Sequence, residues 1–238
     1  MTRKRALDER PSKQLLRGKY LAKRNGGDES PLEHTVASLT ENNLLSGLLN
    51  FVAAYPGFAR RLFDTHGHVK GLGTRLGRGE VLVWFIFDDV ELGGSSSNHD
   101  VVIGGKPVLE IKCARRSGQR YHSFMLGIDE VPASLKYFYR TLKLFERADR
   151  AGRVSLPQHF ANISKKKLEE LRAAYPAAYR RSEERYLDDL LEHGPVGKKS
   201  YLIFDYDTGT PIYLGKLKRE QLKIDRVSGG LTRLSFKP

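Results

Sequence analysis

His99-Asp-Val-Val-Ile-Gly-Gly-Lys-Pro-Val-Leu-Glu-Ile-Lys-Cys-Ala114 carries the alternation that decides the fold. It reads as a β-hairpin, His99 to Ile103 and Pro107 to Ala114, joined at Gly104-Gly105-Lys106. Alternate residues of a strand share a face. Leu109, Ile111 and Cys113 point one way, and Val108, Glu110 and Lys112 the other. A carboxylate and an ammonium set beside a core are costly to bury unless each finds a partner. A plain ion pair at a sheet margin is the simplest outcome.

Asp100 separates that outcome from a more specific one. A two-residue turn at Gly104-Gly105 pairs Ile103 with Lys106 and leaves Asp100 opposite Leu109, on the wrong face. A three-residue turn, Gly104-Gly105-Lys106, pairs Ile103 with Pro107 and sets Asp100 opposite Glu110. Only this second register gathers Val101, Ile103, Leu109 and Ile111 on one apolar face. The hydrophobic pattern thus selects the register that also brings two carboxylates together. Directly opposed like charges are destabilising. A bound divalent cation removes the penalty, and oxygen ligands of this kind suit Mg²⁺ or Mn²⁺.

Asp100, a spacer, then Glu110-Ile111-Lys112 resembles the PD-(D/E)XK phosphodiesterase superfamily, which includes many restriction endonucleases and related phage and repair nucleases. Glu110-Ile111-Lys112 is the only acidic-x-Lys tripeptide in the chain. The resemblance covers roughly Gly77 to Arg150. The usual proline before the Asp is absent, and His99 stands there. The resemblance implies a restriction-endonuclease-like α/β core, a central mixed sheet flanked by helices. It implies that Asp100 and Glu110 bind the metal with the Ile111 carbonyl. Glu80, after Gly79 at the start of a helix, would complete the site. Lys112 would position and help deprotonate the attacking water and stabilise charge on the phosphate. The implied activity is Mg²⁺- or Mn²⁺-dependent hydrolysis of DNA phosphodiesters. The rival is a non-catalytic DNA-binding or virion component that keeps the fold. RNA as substrate and a homodimer stay open.

The remaining composition agrees with a polyanionic partner. The 238 residues carry 41 Lys and Arg against 28 Asp and Glu, a formal charge of +13. Hydrophobic content of 39% suits a folded chain and excludes general disorder. The single cysteine, Cys113, excludes an intrachain disulfide and fits a reducing or an indifferent interior. The resemblance implies the cytoplasm of a bacterial or phage-infected cell, or a virion, as the location. No apolar run approaches the ~18 residues of a membrane span, and no secretory signal is apparent.

Outward from the hairpin, residues 1–30 read as a basic flexible arm, with a short helix near Gln14 to Lys23, broken at Asn25-Gly26-Gly27. A single nuclease domain is expected over 31–238. Ser38 and Glu41 form a capping-box pattern ahead of the apolar helical run from Leu44 to Val52. Phe58 to Phe63 continues it. Gly71 to Glu80 is glycine-rich but lacks the ending of a P-loop. Val81 to Leu92 is read as a buried helix in preference to a strand. Ser123 to Ile128 is expected as a strand, Ser134 to Arg150 as a helix, and 151–199 as a helical insertion kinked at Pro176. Tyr201 to Asp205, Pro211 to Leu214 and Leu231 to Phe236 read as strands.

Arg115, Arg116, Gln119 and Arg120 follow the central strand, where a DNA backbone could pass. Ser97 and His99, in the polar turn before Asp100, are candidate phosphate contacts. A solvated loop is the plain alternative for any of these. His66-x-His68 has metal-site spacing but no obvious carboxylate or cysteine partner. Lys165-Lys166-Lys167 reads as a solvated face. Tyr175, Tyr179 and Tyr186 read as helical packing.

Overall fold

The computed structural model describes residues 12–69, 72, 75–93, 99–124, 165–193, 195–225 and 231–237. Where the sequence suggests one domain over 31–238, the contacts group into two units. One is Met1–Arg115 with Ser200–Gly215, the other Arg116–Lys199 with Lys216–Pro238. The expected helix at 134–150 lies outside the described residues, as does the insertion up to residue 164.

The first unit opens with helix α1 (Lys13–Arg24), in place of a free arm. Leu16 and Leu21 are buried, and so is Arg17. A 3-10 turn at Ser30–His34 leads to α2 (Glu41–Ala54) and α3 (Pro56–Phe63). The capping box on α2 is built two residues later than its sequence signature. Thr40, not Ser38, accepts the Asn43 N–H, and the Asn43 side chain returns to the Thr40 N–H at 2.8 Å. Position 38 is spent otherwise: its carbonyl accepts from the Asn43 side chain at 2.7 Å. Two short strands, β1 (Gly67–His68) and β2 (Arg75–Leu76), pair antiparallel.

Helix α4 (Glu80–Ile86) has all seven residues buried. It stops at Ile86, six residues before the expected end at Leu92. Phe87 turns extended, and β3 (Val90–Leu92) follows. Cations and the bridging residue Val36 take the backbone groups that a longer helix would have used. Val36 N–H donates to Ile86 O and Asp88 N–H to Val36 O, each at 2.8 Å. Lys13 Nζ donates to the carbonyls of Phe87 at 2.5 Å and Val90 at 2.6 Å. Arg17 bonds the Phe85 carbonyl and pairs with Asp88. Helix α4 packs its rings against α2 and α3, with Phe85 edge-on to Phe58 and near Phe51. All three rings are almost fully buried, each worth about 2 kcal/mol of transfer from water.

The sheet of this unit has the order β3–β4–β5–β7–β8, with β4 (Val101–Ile103), β5 (Lys106–Ser117), β7 (Ser200–Asp205) and β8 (Pro211–Gly215). Its pairs are antiparallel except β5 with β7, so the sheet is mixed. Leu109, Glu110 and Ile111 are consecutively buried in β5. Strict alternation is absent there because the strand is covered on both faces.

The second unit contains β6 (Arg120–Phe124), α5 (Lys165–Ala174), α6 (Pro176–Glu192), α7 (Pro195–Lys198), β9 (Leu222–Asp225) and β10 (Leu231–Phe236). Strand β10 pairs antiparallel with both β6 and β9. Pro176 starts α6 at a position where its missing N–H costs nothing. Tyr186 of α6 is buried, and Arg219 pairs with Asp188 at 2.7 Å. No helix among the described residues is long and apolar enough to cross a membrane.

Candidate functional site

The β4–β5 hairpin turns in two residues, not three. Gly104 and Gly105 have φ of 54° and 76°, and Ile103 pairs with Lys106. Both positions need the left-handed region, which glycine supplies without strain. By itself this register would send Asp100 to the wrong face. A bulge corrects it: Val102 pairs with Pro107, Val101 with Leu109, and Val108 is the extra residue. From Val101 onward the register is the one that the apolar pattern favours. The turn and the bulge together do what the three-residue turn was expected to do.

Asp100 then meets the face of Glu110 and Lys112. Lys112 Nζ lies 2.6 Å from Glu110 Oε1 and 3.7 Å from Asp100 Oδ2. Asp100 Oδ2 also accepts the Ile111 backbone N–H at 2.7 Å. Asp100 N–H donates to Leu109 O at 3.2 Å. Burial pulls the Lys112 pKa down, but attraction to Asp100 and then Glu110 outweighs it, and the pKa is raised. Lys112 therefore stands as an ammonium. As it stands it donates and stabilises negative charge, and it is not a base.

Glu80 comes to the same region from the start of α4. It is buried, and its Oε1 accepts the Gly77 N–H at 2.7 Å. Burial, then repulsion from Asp100, pushes its pKa up to about 8 against the opposing effects of the Gly77 N–H and Lys112. Gly79 sets the approach. It has φ of 86°, and a Cβ there would lie 3.0 Å from the Phe204 ring and 3.4 Å from Ile111. Phe204 is fully buried in β7.

Tyr201 is a neighbour that the sequence did not reveal. It pairs with Glu110 in the parallel β5–β7 register and is buried. Burial, followed by Glu110 and Asp100, raises its pKa, so it stays a neutral phenol. Only the strand pairing marks it, and pairing across some ninety residues leaves no local signal.

The other candidates separate. Arg115 lies over the Tyr206 ring, 4.1 Å from its centre. Arg116 Nε donates to Gly118 O at 3.2 Å. Arg120 spends donors on Ser235 Oγ at 3.1 Å and on its carbonyl at 3.2 Å, so part of its expected phosphate-binding capacity is used internally. Gln119 is exposed, and His99 is half-buried before Asp100. Ser97 lies outside the described residues. His66 Nδ1 is 2.7 Å from the Asp64 carbonyl, a local contact, and among the described residues it belongs to no metal-binding group.

Asp100, Glu110 and Glu80 offer oxygen donors only, the chemistry that Mg²⁺ and Mn²⁺ favour. The high Glu80 pKa comes first from burial and then from the Asp100 charge, so Glu80 stands near a second acid. The donor set therefore fits a divalent cation. Among the described residues no three His, Cys, Asp or Glu side chains are gathered as a ready-made cage. No protein-family model, no curated protein and no solved structure matches the chain.

Proposed function

We propose that this chain is a deoxyribonuclease of the PD-(D/E)XK type, with a restriction-endonuclease-like core, hydrolysing DNA phosphodiesters with Mg²⁺ or Mn²⁺. The observation that carries the reading is the meeting of Asp100 and Glu110, from neighbouring strands, at the single ammonium of Lys112. The +13 charge supports a nucleic-acid substrate.

Asp100 and Glu110 would hold the cation, with the Ile111 carbonyl and Glu80 as further donors. Bound there, the ion would polarise the scissile phosphate and make water more acidic. Asp100 is oriented for this by the Ile111 N–H, which its Oδ2 accepts at 2.7 Å. Lys112 keeps its proton at Nζ and sets positive charge where the phosphoryl oxygens gain negative charge. Glu80, protonated near neutral pH, would give up that proton to become a ligand.

A second reading is a non-catalytic DNA-binding or virion component. It is favoured by the Lys112 ammonium already bridging both carboxylates. Nicking of supercoiled plasmid by pure protein, with Mg²⁺ or Mn²⁺ and with EDTA, separates the two. Wild type should nick only with the cation, and Lys112→Ala and Asp100→Ala should each lose on the order of a hundredfold or more. Activity indifferent to both substitutions removes the assignment. Salt-sensitive DNA binding without cleavage selects the second reading.

A further inference from the structure

Two guanidiniums share one aromatic ring beside the candidate site. Arg78 lies 4.2 Å and Arg115 4.1 Å from the centre of the Tyr206 ring. Each is close enough for a strong cation–π contact. The ring is fixed by its backbone. Tyr206 N–H donates to Ala114 O at 2.9 Å, and the Asp205 carboxylate accepts the N–H groups of Asp207 and Thr208 at 2.8 and 3.0 Å. Arg78 is fixed likewise, between Gly77, whose N–H bonds Glu80, and Gly79, whose N–H bonds Phe63 O at 3.0 Å.

The charges around this ring do not balance. Arg78 pairs with Asp64 at 3.2 Å, but Asp64 is already engaged by Arg60 through contacts of 2.7 and 3.1 Å. Among the described residues no carboxylate pairs with Arg115, which is exposed. Guanidiniums held in place with unspent donors, and low on counter-charge, are suited to a phosphate. Arg115 is three residues after Lys112 on β5, so it continues the face of Ile111 and Cys113, and Cys113 Sγ lies 3.7 Å from the Arg78 carbonyl.

We propose that Arg78 and Arg115, held on Tyr206, form a clamp for a phosphodiester of a nucleic-acid strand. The clamp rests on the proposed function for its nucleic-acid ligand, and its binding can be measured without cleavage. Tyr206 serves as the platform that holds both cations in place. The contact is to the backbone and carries no base preference.

The test is fluorescence anisotropy of labelled single-stranded and duplex oligodeoxynucleotides with the full chain, in EDTA, over a KCl series. Arg115→Ala should reduce the slope of log Kd against log salt by about one. Arg115→Lys should keep the slope and bind more weakly, since the charge stays while the planar fork is lost. Tyr206→Leu should weaken binding at least as much as Arg115→Ala. Whether single strand or duplex shows the larger change identifies the form of strand held. An unchanged slope in Arg115→Ala, or no binding of either probe by wild type, overturns the clamp. Plasmid nicking is scored separately. A reduced slope with no cleavage by wild type leaves the clamp standing and removes the nuclease reading.

Discussion

Asp100 and Ile111 are joined across the hairpin by a side-chain to backbone hydrogen bond of 2.7 Å, which aims the Asp100 carboxylate at Lys112. Position 100 therefore has two separable duties, a hydrogen bond and a charge. Asp100→Asn can keep the bond through its amide oxygen while losing the charge. Asp100→Ala loses both and leaves a partly buried N–H without its acceptor, at about 1–3 kcal/mol. Thermal unfolding should rank wild type and Asp100→Asn close together, with Asp100→Ala clearly lower. Divalent-ion binding, followed calorimetrically, should be lost in both. Equal melting of the two variants would remove the orienting role of the bond.

Glu80 gives the site a pH signature. Its pKa rises from an ordinary 4.5 to about 8 on folding. The folded state therefore holds a proton that the unfolded state has released between these values. Stability from this group is fully present below about pH 4.5 and is lost as pH rises through 8. Urea unfolding in EDTA should show wild type losing up to roughly 4 kcal/mol more than Glu80→Gln across that window. Saturating Mg²⁺ should flatten the wild-type curve at its upper end, because a bound cation replaces the proton. Parallel pH curves for wild type and variant would contradict the raised pKa.

The sequence made the meeting of Asp100, Glu110 and Lys112 legible, but not all of its geometry. Alternation in β5 marked Glu110 and Lys112, and the apolar partners of Val101 marked the register of Asp100. The way that register is reached was hidden, because a bulge at Val108 has no compositional sign. Helix α4 was legible only at its start. Its end depends on Lys13, Arg17 and Val36, all distant in sequence. Tyr201 and Tyr206 were missed for the same reason, since both owe their place to the parallel pairing of β7 on β5.

Gly79 should be the most sensitive glycine near the site. Alanine there meets both an unfavourable φ of 86° and the Phe204 ring at 3.0 Å. Gly118, with φ of 60° and no heavy atom within 4 Å, meets only the first. Gly79→Ala should cost roughly 2–4 kcal/mol and Gly118→Ala about 1 kcal/mol. Chemical denaturation of both variants checks the ranking. Because Glu80 follows Gly79, the first variant should also lose divalent-ion binding under conditions where it remains folded, while the second keeps it.

Helix α1 offers a contrast between charges that hold the fold and charges free for a partner. Arg17 is buried and bonds the Phe85 carbonyl at the end of α4, whereas Lys19 and Lys23, on the same helix, are exposed. A free basic arm would lose DNA affinity alike at all three positions and no stability at any. The docked helix predicts a split. Arg17→Ala should lower stability by about 2–3 kcal/mol, since it leaves a buried carbonyl without its donor. Lys19→Ala and Lys23→Ala should change stability by less than about 0.5 kcal/mol. Deleting residues 1–25 should destabilise the first unit more than Arg17→Ala does, because Leu16 and Leu21 leave the core with the helix. Unfolding curves for the four proteins test this, and a deletion that melts with wild type would mean that the helix contributes nothing to the unit it packs on.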